Sequence, residues 1–173
     1  MQQLIKQVEQ WADDRNLIDG SNPKKQMLKL MEEFGELCGG IAKNKPEVIK
    51  DSIGDCLVVT IILACQMKAS RWFIDKALVD SDCSTENNEF ICMRLAGVLG
   101  NLSKLIIFRN GIYNINEVYS NFYEIVYFLN KLAINKEINL ESCLSLAWQE
   151  IKDRKGRMID GVICEGGGLI NDE

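Results

Sequence analysis

Two acidic stretches, Glu32-Glu33-Phe34-Gly35-Glu36 and Asp51-Ser52-Ile53-Gly54-Asp55, hold the side chains best suited to chemistry. Carboxylates at this density repel one another until a cation neutralises them, and an all-oxygen set suits a hard divalent ion, magnesium above all. The flanking residues predict a helix from Pro23 to about Asn44 and a second beginning at Pro46, since proline is best tolerated in the first helical turn. Glu33 and Glu36, three apart, then share a face, as do Asp51 and Asp55, four apart. A tight turn at Asn44-Lys45 makes the two helices antiparallel neighbours. At about 1.5 Å per residue, Glu36 and Asp55 both lie roughly 14 Å from that turn, so four carboxylates converge on one small volume.

The competing arrangement is a solvated acidic face, the usual fate of charge runs on helices. Three features weigh against it. The acids interrupt strongly apolar helices (Leu28, Leu30, Met31, Phe34 and Leu37 on one; Ile53, Leu57, Val58, Ile61 and Ile62 on the other). Gly35 and Gly54 fall at matching heights, and a mid-helix glycine costs about 1 kcal/mol against alanine, so each calls for a reason such as close approach. No lysine follows any of these acids by four residues.

The spacing Glu33-x-x-Glu36, then Asp55, and the surrounding Lys29-Leu30-Met31-Glu32-Glu33-Phe34-Gly35-Glu36-Leu37 and Asp51-Ser52-Ile53-Gly54-Asp55-Cys56-Leu57-Val58-Val59 resemble MazG-like nucleotide pyrophosphohydrolases. These belong to the all-α NTP pyrophosphatases, together with the dimeric dUTPases. The resemblance implies an antiparallel helical bundle that splits a nucleoside triphosphate, ribo or deoxy, into monophosphate and pyrophosphate, a housecleaning of the nucleotide pool. It implies Glu33, Glu36 and Asp55 as catalytic residues holding Mg²⁺, with Mn²⁺ as a substitute. One position departs: the first acid of the second motif falls at Ser52, and Asp51 stands one place earlier as the expected fourth ligand. If that loss is decisive, the chain is instead a non-catalytic nucleotide-binding or helical interaction module.

Length and composition set bounds on these expectations. With 173 residues, 47% hydrophobic and 26% charged, the chain reads as one globular domain over residues 1–160, followed by a flexible tail, 161–173. A net charge of −5 without a basic tail argues against a nucleic-acid polymer as partner. The longest apolar run, Cys56 to Cys65, is half of the roughly 20 residues a membrane helix needs. Seven scattered cysteines without a Cys-x-x-Cys pair point to a reducing cytoplasm. Histidine is absent, which excludes Ser-His-Asp and Cys-His catalysis and His-ligated zinc.

Further helices are expected over residues 2–16, over Arg71–Val79 and over Asn139–Arg157, with Asn22 capping the helix at Pro23. Residues 88–160 read as a weak repeat of 1–80. Leu95-Ala96-Gly97-Val98-Leu99-Gly100-Asn101-Leu102 overlays Leu30–Leu37, and Glu117-Val118-Tyr119 overlays Glu47-Val48-Ile49. In that copy Val98 replaces Glu33, Asn101 replaces Glu36 and Ser120 replaces Asp51, giving a pseudo-dimer with one acidic and one degenerate site. Chance similarity of two amphipathic hairpins is the alternative. Lys152 and Lys155 near the last helix end, and Lys29, are the expected phosphate contacts, with Arg154 expected to point elsewhere. Helix-dipole complementarity and an intrahelical ion pair explain the same lysines without a substrate. Trp11, Trp72, Phe108, Tyr113 and Tyr123 are the aromatic candidates for a base pocket, and a homodimer is the expected assembly.

Overall fold

A computed structural model describes residues 1–69, 72–80, 86–108, 114–159 and 162–164. The fold is all-α, with helices α1 (Gln2–Asp14), α2 (Pro23–Ala42), α3 (Pro46–Gln66), α4 (Trp72–Asp80), α5 (Asn88–Phe108), α6 (Ile115–Asn135) and α7 (Leu140–Ile151). A short antiparallel pair of strands, β1 (Arg157–Ile159) and β2 (Val162–Cys164), follows.

The first hairpin forms where local signals place it. The Asn22 side chain accepts from the Lys24 and Lys25 amides, and Pro23 and Pro46 occupy the first positions of α2 and α3. Between them Asn44 takes a left-handed φ of 46°, a conformation asparagine tolerates better than most residues. Gly40 then lets α3 approach, because a Cβ there would sit 3.1 Å from Val48 and 3.2 Å from Ile49.

α5 and α6 form a second antiparallel hairpin, and α2 packs on α5 while α3 packs on α6. The flanking helices cross over: α7 packs on α3, whereas α4 packs on α6. Burial runs in step between the halves. Leu30, Glu33 and Leu37 on α2 correspond in burial to Leu95, Val98 and Leu102 on α5. Ile49, Ile53 and Leu57 on α3 correspond to Val118, Phe122 and Val126 on α6. The second pairing is one residue out of step with the sequence overlay of Glu47-Val48-Ile49 on Glu117-Val118-Tyr119. In the register set by burial, Asp51 falls on Ser120 and Asp55 on Glu124.

α5 is long and apolar enough to cross a membrane by length and composition. Here Ile91, Leu95, Val98 and Leu102 bury its inner face in the bundle.

The last helix ends at Ile151, six residues short of the expected Arg157. The cause is tertiary. The Arg15 guanidinium donates to the Arg154 carbonyl, the Met158 amide donates to Arg15 O at 2.9 Å, and Asn16 donates to Met158 O at 3.0 Å. These bonds draw the chain off the helix axis, and Gly156 turns it at φ 125°. Within the segment expected to be a flexible tail, Val162–Cys164 pairs with β1; residues 160–161 and 165–173 lie outside the described residues.

Candidate active site

The acids of the first hairpin divide: Glu33 and Asp55 stand with Lys29 and Arg154, whereas Glu32 and Glu36 line a separate groove with Gly39, Gly40, Lys43 and Lys45. Glu33 is 6% exposed, which requires a partner, and the Lys29 ammonium one turn earlier sits 2.6 Å from it. Lys29 also reaches Glu32 at 3.0 Å. Burial works against the lysine's charge, but its hydrogen bonds to Glu33 and Glu32 outweigh that and raise its pKa. Glu32 itself stands on the surface.

Asp51 and Asp55 feel one another and Glu33. Burial is the largest cause pushing Asp55 up to about 7, followed by the charges of Glu33, Asp51 and Glu150, with Arg154 opposing. Asp51 is raised by burial and then by Glu150, Glu33 and Glu36. Asp51 Oδ1 and Ser52 Oγ are shut off from solvent without a hydrogen-bond partner among the described residues. Through their charges Glu33 and Glu36 act on Asp51, and Glu33 and Asp51 act on Asp55, a loose cluster in place of the expected tight convergence. It is not a closed cage, since no three acidic or thiol side chains among the described residues stand close enough to share an ion. Glu33 turned toward Lys29 is one visible reason.

The two mid-helix glycines differ in what they do. At Gly54 an added Cβ would lie 2.3 Å from the Cys143 carbonyl oxygen and 3.0 Å from Ala147 Cβ, so α7 seats directly on α3 there. Gly35 faces open space. The close approach at Gly54 is thus to α7 and not across the hairpin. The charge of Glu150, one turn beyond Ala147, helps to raise both Asp51 and Asp55, and the motif spacing gives no hint of it.

Beside the acids opens a cleft of about 300 Å³. Glu33 and Asp55 stand on its wall with Lys25, Lys29 and Arg154, and Trp11, Val58, Val59 and Ile62 form its apolar side. A second lobe of about 310 Å³ shares Trp11, Leu17, Arg154 and Met158 with it and adds Arg15, Lys155 and Arg157. Arg154, expected to point elsewhere, lines both lobes because the chain leaves its helix at Ile151. Lys155 lines the basic lobe, and Lys152 lines neither. Of the aromatic candidates, Trp11 lines the cleft, Phe108 is exposed and Tyr123 packs near α4; Tyr113 and the side chain of Trp72 lie outside the described residues.

In chemical type, though not in spacing, the donor set suits a hard divalent cation. It is all oxygen, it contains a buried carboxylate oxygen without a partner, and it holds an aspartate that gives up its proton reluctantly until positive charge arrives.

Residues 21–80, which carry both acidic stretches, match the family model described as the MazG nucleotide pyrophosphohydrolase domain. This segment is MazG-like. Over 66 residues the chain is 73% identical to an "Uncharacterized 18.2 kDa protein in rep-hol intergenic region" of Haemophilus phage HP1 (strain HP1c1). That similarity covers 38% of this chain and 40% of the phage protein. No solved structure matches the chain. The MazG-like segment supplies Lys29, Glu33, Glu36, Asp51 and Asp55, whereas Trp11, Glu150 and Arg154 come from outside it.

Proposed function

We propose that this chain is a magnesium-dependent nucleoside triphosphate pyrophosphohydrolase, releasing a nucleoside monophosphate and pyrophosphate. The observation that carries the reading is the joint wall of the cleft, with Glu33 and Asp55 beside Lys29 and Arg154 against an apolar side headed by Trp11. Glu33, Glu36, Asp51 and Asp55 would hold the cation, which when bound supplies Lewis acidity toward phosphate oxygens and the attacking water. Lys29 releases Glu33 and turns to phosphate, with Arg154 and Lys155 on the far end of the same anion. Trp11 and the valine wall take the base, and the indole N–H of Trp11, buried and without a partner among the described residues, offers it a donor. The choice of the α–β bond rests on the family likeness of residues 21–80.

The reading includes an internal duplication, with α5–α6–α7 as a degenerate counterpart of α2–α3–α4. It also includes self-association through the outer face of α2 and α5, where Leu28, Met31, Phe90 and Met93 stand exposed.

Product analysis on a panel of ribo- and deoxynucleoside triphosphates with magnesium tests the activity. Pyrophosphate and monophosphate are expected, lost in a folded Glu36→Gln variant; orthophosphate as the product overturns the choice of bond. A second reading, nucleotide binding without turnover, is favoured by Ser52 in place of an acid and by the open spacing of the carboxylates. Tight nucleotide binding with no product under magnesium would select it.

A further inference from the structure

We propose that the basic lobe beside the cleft is an oligophosphate site that binds without a metal, with Arg15, Arg154, Lys155 and Arg157 as its cations. All four lie outside the MazG-like segment. The anion site stands without the proposed activity; only its service to the phosphate tail of a nucleotide substrate rests on that reading.

Charge is the first observation. The chain carries a net charge of −5, yet four cations and no carboxylate line this cavity of about 310 Å³. None of the four forms an ion pair among the described residues. Like charges gathered in one concavity repel until an anion joins them, and the apolar wall of Trp11, Leu17 and Met158 focuses their field.

The second observation is that these cations are held in place, unlike a solvated basic patch at a helix end. Arg15 stacks on Trp11 at 4.7 Å and donates to the Arg154 carbonyl, while its own carbonyl accepts from the Met158 amide at 2.9 Å. Gly156 turns the chain at φ 125° between Lys155 and Arg157, and Arg157 then pairs opposite Cys164 in the two strands. The cations thus come from the end of α1, from the turn after α7 and from β1, on a frame set before any ligand arrives. Guanidinium forks match phosphate oxygens two at a time. Four positive charges call for an anion of several charges, which favours linked phosphates over a carboxylate or a single phosphate.

The lobe meets the cleft at Trp11 and Arg154, which line both. A nucleotide seated in the cleft directs its terminal phosphates into the lobe, which makes the lobe the reader of phosphate-chain length.

The test is calorimetric titration of inorganic pyrophosphate into the full chain with EDTA present. A single pyrophosphate is expected to bind at least about tenfold more tightly than inorganic phosphate, and less tightly as salt rises. Arg157→Gln and Lys155→Gln are each expected to weaken it by about tenfold, with Arg157→Lys retaining part. Both side chains are exposed, so melting at the parent's temperature is expected and separates lost binding from a lost fold. Pyrophosphate bound no more tightly than phosphate, or bound equally by both variants, overturns the site. With magnesium and a nucleoside triphosphate, Arg157→Gln is expected to raise KM while leaving monophosphate binding unchanged. An unchanged KM beside lost pyrophosphate binding assigns the lobe to a free oligophosphate and overturns its service to the substrate. Metal-free pyrophosphate binding by a chain that turns over no nucleotide overturns the proposed activity and keeps the site.

Discussion

The two helical hairpins share a frame and differ in what they place on it. Counting 69 residues on from α3, Gly54 becomes Tyr123, Val58 becomes Tyr127, Val59 becomes Phe128 and Ile62 becomes Lys131. On the first hairpin the small residues leave a cleft of about 300 Å³. On the second, Tyr123 stacks on Tyr127 with centroids 5.9 Å apart, and Tyr127 packs edge-on to Phe128 at 5.3 Å. Arg94 covers Phe128, and buried Lys131 covers Tyr127 while pairing with Glu86 at 2.7 Å. Charge is treated just as differently. Val98 stands where Glu33 does, and Asp80 accepts from Tyr123. The comparison teaches that a helical frame of this kind tolerates either an open acidic cleft or a filled aromatic core, and that side-chain volume decides which.

The sharpest break is between the two acids in register. Asp55→Asn is expected to lower pyrophosphate release by about 10²–10³-fold, while Glu124→Gln, 69 residues on, leaves it unchanged; steady-state release assays decide. Equal losses would mean that the second hairpin is also a site. Next in size is filling the first cleft as the second is filled. Val58→Tyr, copying Tyr127, is expected to raise KM by about tenfold, some 1.4 kcal/mol of binding, with the fold intact by circular dichroism.

The glycines give a smaller, structural test. Gly54→Ala forces a methyl into the Cys143 carbonyl and is expected to cost about 1–3 kcal/mol in denaturant unfolding. Gly35→Ala meets nothing within 4 Å and is expected to be neutral, or to stabilise α2 by up to about 1 kcal/mol. Smallest is a pH effect. Asp55 binds its proton more tightly folded than unfolded, so without metal stability falls as pH rises from about 4 to about 7 and then levels. Asp55→Asn should flatten that slope in thermal melts, and magnesium should flatten it in the parent chain.

Much of the frame was legible because its signals are local. Asn22, Pro23 and Pro46 fix helix starts within a few residues of themselves, and the apolar spacing of α2 and α3 names the buried faces. Glu33, Glu36, Asp51 and Asp55 followed from those two helices alone. The reason for Gly54 did not, since its partner lies about 90 residues further along the chain. Nor did the position of Arg154, which the periodicity of α7 assigns to a longer helix.

The sequence by itself determined the acidic hairpin and its turn, because helix caps, proline and side-chain periodicity act over one or two turns. Only the tertiary structure decided that α7 seats on Gly54 and that Arg15 and Asn16 pull Arg154 and Met158 into the cleft wall. Those outcomes depend on packing and hydrogen bonds between segments from opposite ends of the chain, which no local pattern encodes.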